Sequence, residues 1–263
     1  MRLCSWNVNG WRDDYGRRSF ERVHTTLSAM GLDLIALQEV KNPELVATLG
    51  DALGMAHAYA PAAAFGGNAL LARGGLEDVS LLQLDLPGKE RRSAVVARTR
   101  LEGVAVRVAA VHLDVSEESA RVAQLEEILK ALGGDLPCLL LGDLNALRRS
   151  DYTVERQRAI ELQRLHADLE PVADGVMQTL DGAHFFDLAR VFAHGPDGYP
   201  GDLKRSLSPE LLETSRYRTR VDYVFGDAAF VAQFNVDDLR VARSDASDHR
   251  PVLVTASARA APR

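Results

Sequence analysis

The sequence feature that most constrains the fold is a repeated pattern in which a short apolar run meets a cluster of polar residues. The pattern occurs five times, at residues 1–6, 32–37, 104–111, 138–141 and 251–254. Short runs rich in Val, Ile and Leu with turn residues at their ends predict buried β-strands. Carboxylates, amides and imidazoles at strand ends are typical of a hydrolytic site on a sheet scaffold.

Helix patterns alternate with these strands. Residues 17–30 form an amphipathic pattern that Gly31 can end, and residues 154–169 predict another helix. Ser116 is placed to cap a helix whose apolar face repeats at i, i+3, i+4 and i+7 until Gly133-Gly134. Successive strands at residues 76–86, 93–100 and 104–111 predict antiparallel hairpins. The alternation predicts a layered α/β sandwich, and we expect one domain over residues 1–263 with a flexible tail at its last few residues.

Composition narrows the class of protein. The chain has 263 residues, of which 46% are hydrophobic and 26% are charged, as is ordinary for a globular protein. Its net charge of −6 counts against tight, sequence-blind binding of duplex DNA, although a local basic cleft can occur on an acidic protein. Both cysteines, Cys4 and Cys138, lie in apolar strands and are expected to be buried thiols. No apolar run reaches membrane-spanning length and the chain starts with a strand pattern, so we expect a cytoplasmic monomer without membrane insertion.

Two acids stand at the ends of strongly apolar strands. Glu39 and Asp143 each follow such a run, and a carboxylate beside a core is costly unless it is paired or bound to a cation. A single acid of this kind is more often structural, but its repetition at several strand ends favours a site. Oxygen and amide ligands without cysteine suit Mg²⁺ or Mn²⁺ better than zinc.

A second constellation consists of Asp248-His249 and Asp222. A carboxylate orients a histidine and keeps it basic, which suits contact with a phosphoryl oxygen. Residues 220–225 predict a strand, and by its period of two Arg216, Arg218 and Arg220 are expected to share one face with Asp222. Those arginines form either a lane that attracts phosphate or the solvated edge of a sheet.

Six blocks, in chain order, resemble those of the endonuclease/exonuclease/phosphatase superfamily. That superfamily includes exonuclease III-like repair nucleases, neutral sphingomyelinases, inositol polyphosphate 5-phosphatases and deadenylases. The blocks are Ser5-Trp6-Asn7-Val8-Asn9-Gly10, Leu37-Gln38-Glu39-Val40, Val111-His112-Leu113-Asp114, Gly142-Asp143-Leu144-Asn145, Arg220-Val221-Asp222-Tyr223 and Ser247-Asp248-His249-Arg250-Pro251-Val252. The resemblance implies a four-layer α/β sandwich (α/β, α+β class), in which two packed mixed β-sheets are flanked by helices.

The resemblance also implies a metal site. Glu39 would be the principal ligand of Mg²⁺ (or Mn²⁺), Asn7 would support the metal, and Asp248 would be a further acid nearby. Asn9 stands where some members have aspartate, so this site would carry one negative charge less.

The same resemblance implies catalytic roles. Asp143 would orient and activate the attacking water, and Asn145 would position that water or the phosphate. His249, hydrogen-bonded to Asp222, would contact the scissile phosphate, and His112 would be another phosphate contact. Repair nucleases usually carry a tyrosine-centred motif where this chain has His112-Leu113, a version that is more similar to the sphingomyelinase, deadenylase and tyrosyl-DNA phosphodiesterase branches.

Four further residues are expected to contact the substrate: Asn9, Asn68, Arg148 and Arg220. An equal alternative for Asn68 is an asparagine that only stabilises a turn. An equal alternative for Arg148 is an ordinary surface charge. In folds of this kind specificity lies in loops, here mostly between residues 146 and 219.

These observations predict a metal-dependent phosphodiesterase acting on a phosphoester, with nucleic acid among the candidate substrates. Two alternatives stay open. One is a DNA repair nuclease with abasic-site endonuclease or 3′–5′ exonuclease activity. The other is a catalytically silent scaffold that binds phosphate.

Overall fold

Two mixed β-sheets of six strands each form the centre of the computed structural model, which describes residues 1–63, 66–195 and 207–259. The first sheet has the order β11 (Phe234–Val241), β12 (Val252–Ala258), β1 (Arg2–Asn7), β2 (Leu34–Val40), β4 (Gly67–Ala72) and β3 (Ala56–Ala60). The second has the order β5 (Glu77–Gln83), β6 (Ser93–Leu101), β7 (Val104–His112), β8 (Cys138–Asp143), β10 (Asp222–Asp227) and β9 (Phe185–Asp187). The pairs β1–β2 and β7–β8 are parallel, and the other neighbouring strands are antiparallel. The hairpins predicted at β5–β6 and β6–β7 are confirmed.

Helices cover the outer faces of both sheets. The helices in the described residues are α1 (Phe20–Ser28), α2 (Pro43–Leu53), α3 (Glu118–Leu132), α4 (Val154–His166), α5 (Gly175–Gly182), α6 (Leu188–His194) and α7 (Ala228–Gln233). Helices α1 and α2 pack on the first sheet, and α3 and α5 pack on the second. The expected four-layer α/β sandwich is therefore confirmed.

The layer between the sheets changes from apolar to polar along its length. Alternate residues of each central strand face the opposite sheet, and most of them are buried aliphatic side chains such as Leu34, Leu70, Val108 and Leu141. Continuing the same period of two to one end of each strand reaches a polar residue: Asn7, Gln38, Asn68, Ser93, His112, Asp143 and Asp222. All seven are buried. The polar clusters seen in sequence thus form the polar end of one continuous inter-sheet core.

The strand predicted at residues 220–225 is confirmed from Asp222 onward, but the face that the arginines were expected to share is wrong. Strand β10 begins only at Asp222, and Arg216 lies in a turn. The cause is a tight loop in which the backbone N–H of Ser215 donates to the carbonyl of Thr219 at 3.1 Å. Arg218 has a left-handed backbone with φ of 57° inside this loop, so the arginines do not share a strand face.

The start of α3 also differs from the prediction. The helix begins at Glu118, preceded by Glu117, rather than directly after a Ser116 cap. Asp114 fixes the turn before the helix instead, because its Oδ1 accepts hydrogen bonds from the backbone N–H groups of Ser116 at 2.8 Å and Glu117 at 2.9 Å. The predicted end at Gly133 is confirmed.

Two predictions fall outside the described residues. They are the loop at residues 195–201, from residue 196 onward, and the flexible tail, at residues 260–263. No helix in the part of the chain that the structure describes is long and apolar enough to cross a bilayer.

Candidate active site

The two strand-end acids meet across the inter-sheet layer. Asn7, at the end of β1, donates from Nδ2 to Glu39 Oε1 at 2.9 Å and to Asp143 Oδ2 at 3.1 Å. Glu39 belongs to the first sheet and Asp143 to the second. One amide therefore joins two carboxylates that lie 104 residues apart in sequence, from 39 to 143.

A β-bulge aims Glu39 at this cluster. In a regular strand Glu39 would face away from the inter-sheet layer, because its neighbour Gln38 faces into it. Its left-handed φ of 55° and the register shift between β2 and β4 break that alternation. Gly66 allows its own segment to pass close to the end of β2, since a Cβ on Gly66 would lie 2.7 Å from the carbonyl oxygen of Val40.

The cluster holds more negative than positive charge. Within the described residues, its acids are Glu39, Asp143, Asp222 and Asp248, and the cations beside them are His249, Arg92 and Arg216. Burial raises the pKa of Glu39, and the Asn7 hydrogen bond and the charge of His249 only partly oppose that rise. A cation bound here would relieve the desolvation of Glu39, so the residues fit a hard divalent ion.

A second group of atoms also has metal-ligand spacing. Asp143, Asp222 and His249 offer ligand atoms within 4.8 Å of one another. However, His249 Nδ1 is already hydrogen-bonded to Asp222 Oδ2 at 2.8 Å. A cation among these three would break that pair, so the Glu39 side of the cluster is the better metal position.

Asp143 lies at the end of β8, next to β7. A Cβ on Gly142 would lie 1.9 Å from the carbonyl oxygen of Val111, so glycine is needed for this close approach of the two strands. Asp143 Oδ1 accepts a hydrogen bond from the backbone N–H of Asn145 at 2.9 Å. Burial, and then the neighbouring charge of Asp222, raise the pKa of Asp143 against the opposing effect of His249. Asp143 is therefore suited to accept a proton near neutral pH.

His249 is the cationic member of the cluster. Its Nδ1 lies 2.8 Å from Asp222 Oδ2 and 3.8 Å from Asp143 Oδ2. Burial works against a charge on the ring, but Asp222, Asp143 and Asp248 outweigh it and raise the pKa of His249 to about 10. The indole N–H of Trp6 donates to the carbonyl of His249 at 3.0 Å and anchors this segment to β1.

His112 lies beside the site, with its Nε2 3.7 Å from Asp143 Oδ2. Burial, the charge of Arg92 and the charge of His249 hold the pKa of His112 well below 6.5. Asn145 Nδ2 donates to the carbonyl of Leu113 at 3.1 Å and contacts His112 Nε2 at 3.0 Å, so this ring nitrogen acts as the acceptor. The ring is 3% exposed. The contact between Nε2 and Asn145 lets His112 position that residue, and the phosphate contact expected of His112 stays a prediction.

Sequence reasoning missed two residues beside the cluster. Arg92 is buried with its Nη1 3.3 Å from His112 Nδ1, and Gln38 is buried with both amide atoms lacking a hydrogen-bond partner among the described residues. Arg92-Ser93 stands directly before the apolar part of β6, as the other polar clusters stand beside apolar runs. The same rule would have found Arg92.

The remaining predicted residues near the cluster have different surroundings. Asn9 donates its backbone N–H to Asn7 Oδ1 at 3.0 Å and has a left-handed φ of 47°. Asn68 is buried and donates from Nδ2 to the carbonyl of Ser93 at 2.7 Å, which links the two sheets. Asp248 Oδ2 lies 3.8 Å from Arg216 Nη1 and stays partly exposed.

Arg148 and Arg220 form ion pairs with other residues of the protein. Arg148 donates to both carboxylate oxygens of Asp181 at 2.9 Å. Arg220 donates to Asp187 at 2.7 and 2.5 Å and to Asp151 at 3.2 Å. Both arginines are buried. A substrate contact by either one would require breaking these pairs, so the structure does not bring them to the cluster.

Four acids, two arginines and an acid-paired imidazole at one end of the sheet sandwich could hold a divalent cation and an anionic ester. Comparison with known proteins agrees. The sequence profile of the Endonuclease/Exonuclease/phosphatase family matches residues 4–249, and the chain belongs to this family of metal-dependent hydrolases acting on phosphoester bonds. A search of curated proteins finds no match.

Solved structures share the fold over nearly the whole chain. An endonuclease/exonuclease/phosphatase from Beutenbergia cavernae has a TM-score of 0.74 and 19% identity, with 98% of this chain and 71% of that chain covered. A 3′–5′ exonuclease from Neisseria meningitidis has a TM-score of 0.66 and 19% identity, with 97% and 99% covered. A mannosyl-6-phosphatase from Bacteroides thetaiotaomicron has a TM-score of 0.64 and 15% identity, with 98% and 99% covered. At these identities the likeness shows the fold alone.

Proposed function

We propose that this chain is a divalent-metal-dependent phosphodiesterase that hydrolyses a P–O bond with a water molecule held by Asp143. The observation that carries this proposal is the position of His249, whose Nδ1 lies 2.8 Å from Asp222 and 3.8 Å from Asp143. A proton-accepting carboxylate and a fixed imidazolium therefore stand side by side at the end of the core.

In this mechanism Asp143 accepts a proton from the attacking water as the new oxygen–phosphorus bond forms. The ester P–O bond breaks in the same displacement, and the departing oxygen takes a proton from solvent. The backbone N–H of Asn145 and the side chain of Asn7 each hold one oxygen of Asp143, which fixes its orientation. His249 donates a hydrogen bond to a phosphoryl oxygen, whose share of negative charge must be stabilised in the transition state. Asp222 keeps the His249 ring charged and oriented.

Glu39, Asn7 and Asp248 would hold Mg²⁺ or Mn²⁺. Glu39 is the best-placed ligand, because burial raises its pKa and, among the described residues, Asn7 is the side chain that donates to it. When bound, the cation supplies positive charge that stabilises the phosphoryl and leaving oxygens.

The charge of the site favours a diester over a monoester. Of the three cations beside the acids, Arg92 contacts the neutral His112 ring and Arg216 lies beside Asp248, which leaves His249 as the cation at the water-holding carboxylate. A phosphodiester carries one negative charge and a monoester at neutral pH carries nearly two, so the diester meets less repulsion from the surplus acids.

The alternative of a DNA repair nuclease loses support, and the alternative of a silent scaffold gains none. The arginine lane that favoured a DNA repair nuclease does not form, since Arg216 and Arg218 lie in a tight loop and Arg220 is buried. A silent scaffold would retain buried acids, which are costly without a bound partner. Abasic duplex DNA incubated with Mg²⁺ tests the nuclease directly, because strands left intact at high enzyme concentration would exclude it.

The main test uses Glu39→Gln and His249→Gln, with Glu77→Gln as a matched control at an exposed position on β5. Each site variant is expected to lose about 10²-fold or more in kcat/KM for bis(p-nitrophenyl) phosphate with Mg²⁺, whereas the control keeps its rate. Chelator should abolish turnover, and added Mg²⁺ or Mn²⁺ should restore it. Retained activity in both site variants, or turnover insensitive to chelator, would refute the proposal.

A further inference from the structure

A pocket opens directly beside the catalytic cluster. Its volume is about 690 Å³, including the part that is open to solvent. Asn145 and His249 line the pocket, so the position of the reacting phosphate is continuous with it. The other lining residues are Val115, Leu147, Ile160, Gln163, Arg164, Ala167, Leu169, Ser215, Tyr217, Thr219 and Val221.

Two segments outside the sheets build this pocket. One is α4 and the residues that follow it, and Ile160, Gln163, Arg164 and Ala167 repeat at i, i+3, i+4 and i+7 on a single helix face. The other is the tight loop at residues 215–221. The pocket is thus formed by additions to the sandwich, in the region where sequence reasoning expected specificity.

The walls present apolar surface and few free polar groups. The hydroxyls of Ser215 and Thr219 lie 3.0 Å apart and bond each other. Apart from His249 at the reaction site, Arg164 is the one charged residue among the lining residues, and its Nε donates to the carbonyl of Glu170 at 2.6 Å. No Asp or Glu is among the lining residues. A second phosphate would find one cation here that is already engaged, and an ammonium group would find no carboxylate.

We propose that this pocket binds an apolar ester group of the substrate, alkyl or aryl, an inference that rests on the proposed phosphoesterase function. A group attached to a phosphate at His249 enters the pocket within a few bonds. The apolar walls formed by Leu147, Ile160 and Val221 then remove that group from water, which is the main source of affinity in pockets of this kind.

The test measures binding by calorimetry, which is independent of turnover. Methyl, butyl, hexyl and phenyl phosphate are titrated into the full chain with Mg²⁺. The dissociation constant should fall about threefold for each methylene added until the pocket is filled. Hexyl and phenyl phosphate have equal carbon numbers, so the one with the lower dissociation constant shows whether the pocket prefers an alkyl or an aryl group. Equal affinity for methyl, hexyl and phenyl phosphate would overturn the inference.

A pair of variants on α4 locates the effect. Ala167→Trp places a large ring at the pocket, and Ala159→Trp places the same ring at an exposed position of α4 that is not among the lining residues. The ratio of methyl to hexyl dissociation constants should fall about tenfold in Ala167→Trp and stay unchanged in Ala159→Trp. Equal ratios in the two variants would contradict the pocket assignment.

The outcomes also separate this inference from the function on which it rests. Metal-dependent hydrolysis without any preference for longer chains would overturn the pocket and keep the function. A clear preference for hexyl phosphate, in a protein that hydrolyses no phosphodiester, would keep the pocket and overturn the function.

Discussion

Two buried charge clusters lie two residues apart at the start of β10, and they are built on opposite principles. Asp222 belongs to the catalytic cluster. Arg220 belongs to a second group, here called the arginine network, made of Arg220, Arg190, Asp151 and Asp187. The arginine network pairs two cations with two acids, and all four side chains are buried. The catalytic cluster has four acids beside three cations and opens to a pocket.

The pKa shifts of the two groups follow this difference. In the arginine network burial opposes every charge, yet Asp187 raises the pKa of Arg220, and Arg220 lowers that of Asp187. In the catalytic cluster the uncompensated effect of burial raises the pKa of both Glu39 and Asp143. Charge balance, rather than burial alone, therefore separates the closed structural pair from the site that needs a ligand.

The largest expected effect is the loss of catalysis on replacing Asp143 by Asn. The amide cannot accept the proton of the attacking water, so kcat/KM should fall about 10³-fold. The free energy of unfolding should stay the same or rise, because repulsion between Asp143 and Asp222 is removed. Steady-state kinetics on a chromogenic diester and urea unfolding measure the two quantities. If the variant keeps a kcat/KM within about tenfold of wild type, Asp143 is not the general base.

Breaking the arginine network should give the reverse result. Arg220→Met leaves Asp187 buried without this partner and Asp151 paired with Arg190 alone, and it should lower the free energy of unfolding by about 3 kcal/mol. Activity of the folded fraction, measured at low temperature, decides between the two roles considered for Arg220. A loss of activity without a loss of stability would mean that Arg220 acts on the substrate after all.

A smaller effect concerns the charge on His249. In the metal-free protein the pKa of His249 is raised to about 10, and replacing Asp222 by Asn should lower it because burial then dominates. An NMR titration of the ring should find wild type charged and the variant neutral at about pH 8. The same midpoint in both proteins would show that Asp222 does not hold the charge.

The sign of the linked stability follows from this shift. Because the folded-state pKa lies above the ordinary value of 6.5, the charged ring stabilises the fold fully below pH 6.5. That contribution is lost as the pH rises through about 10. Urea unfolding over this range should therefore show a falling free energy in wild type and a flatter profile in Asp222→Asn.

The sequence allowed much of the fold to be predicted, since strongly apolar runs with polar ends identify central strands. The weakly patterned elements were missed. Strand β3 (Ala56–Ala60) contains three alanines and no β-branched residue, so its sequence does not indicate a strand. The segment before β10 was assigned to a strand because its charges alternate, and only the loop closed by Ser215 and Thr219 excludes that assignment.

The site was predictable to the extent that its residues stand beside apolar strands. Glu39, Asp143 and His249 could be proposed on that ground, and their convergence depends on the sandwich itself. The partners of Arg220 could not be proposed, because Asp151 lies 69 residues away and reaches it only in the folded chain. Alternating charge in sequence does not distinguish a phosphate contact from a buried ion pair.

The smallest expected effect tests what is left of the arginine lane. Arg218 is exposed and pairs with Glu213 at 2.7 Å, and surface pairs of this kind contribute about 0–1 kcal/mol. Arg218→Ala should therefore change the free energy of unfolding by less than about 0.5 kcal/mol and leave diester hydrolysis unchanged. The affinity of the variant for duplex DNA is compared with that of wild type at about 50 and about 200 mM salt. The fall in affinity with added salt should be the same in both proteins. A salt dependence reduced by about one charge would mean that Arg218 binds a phosphate, because each lost contact releases one counterion fewer.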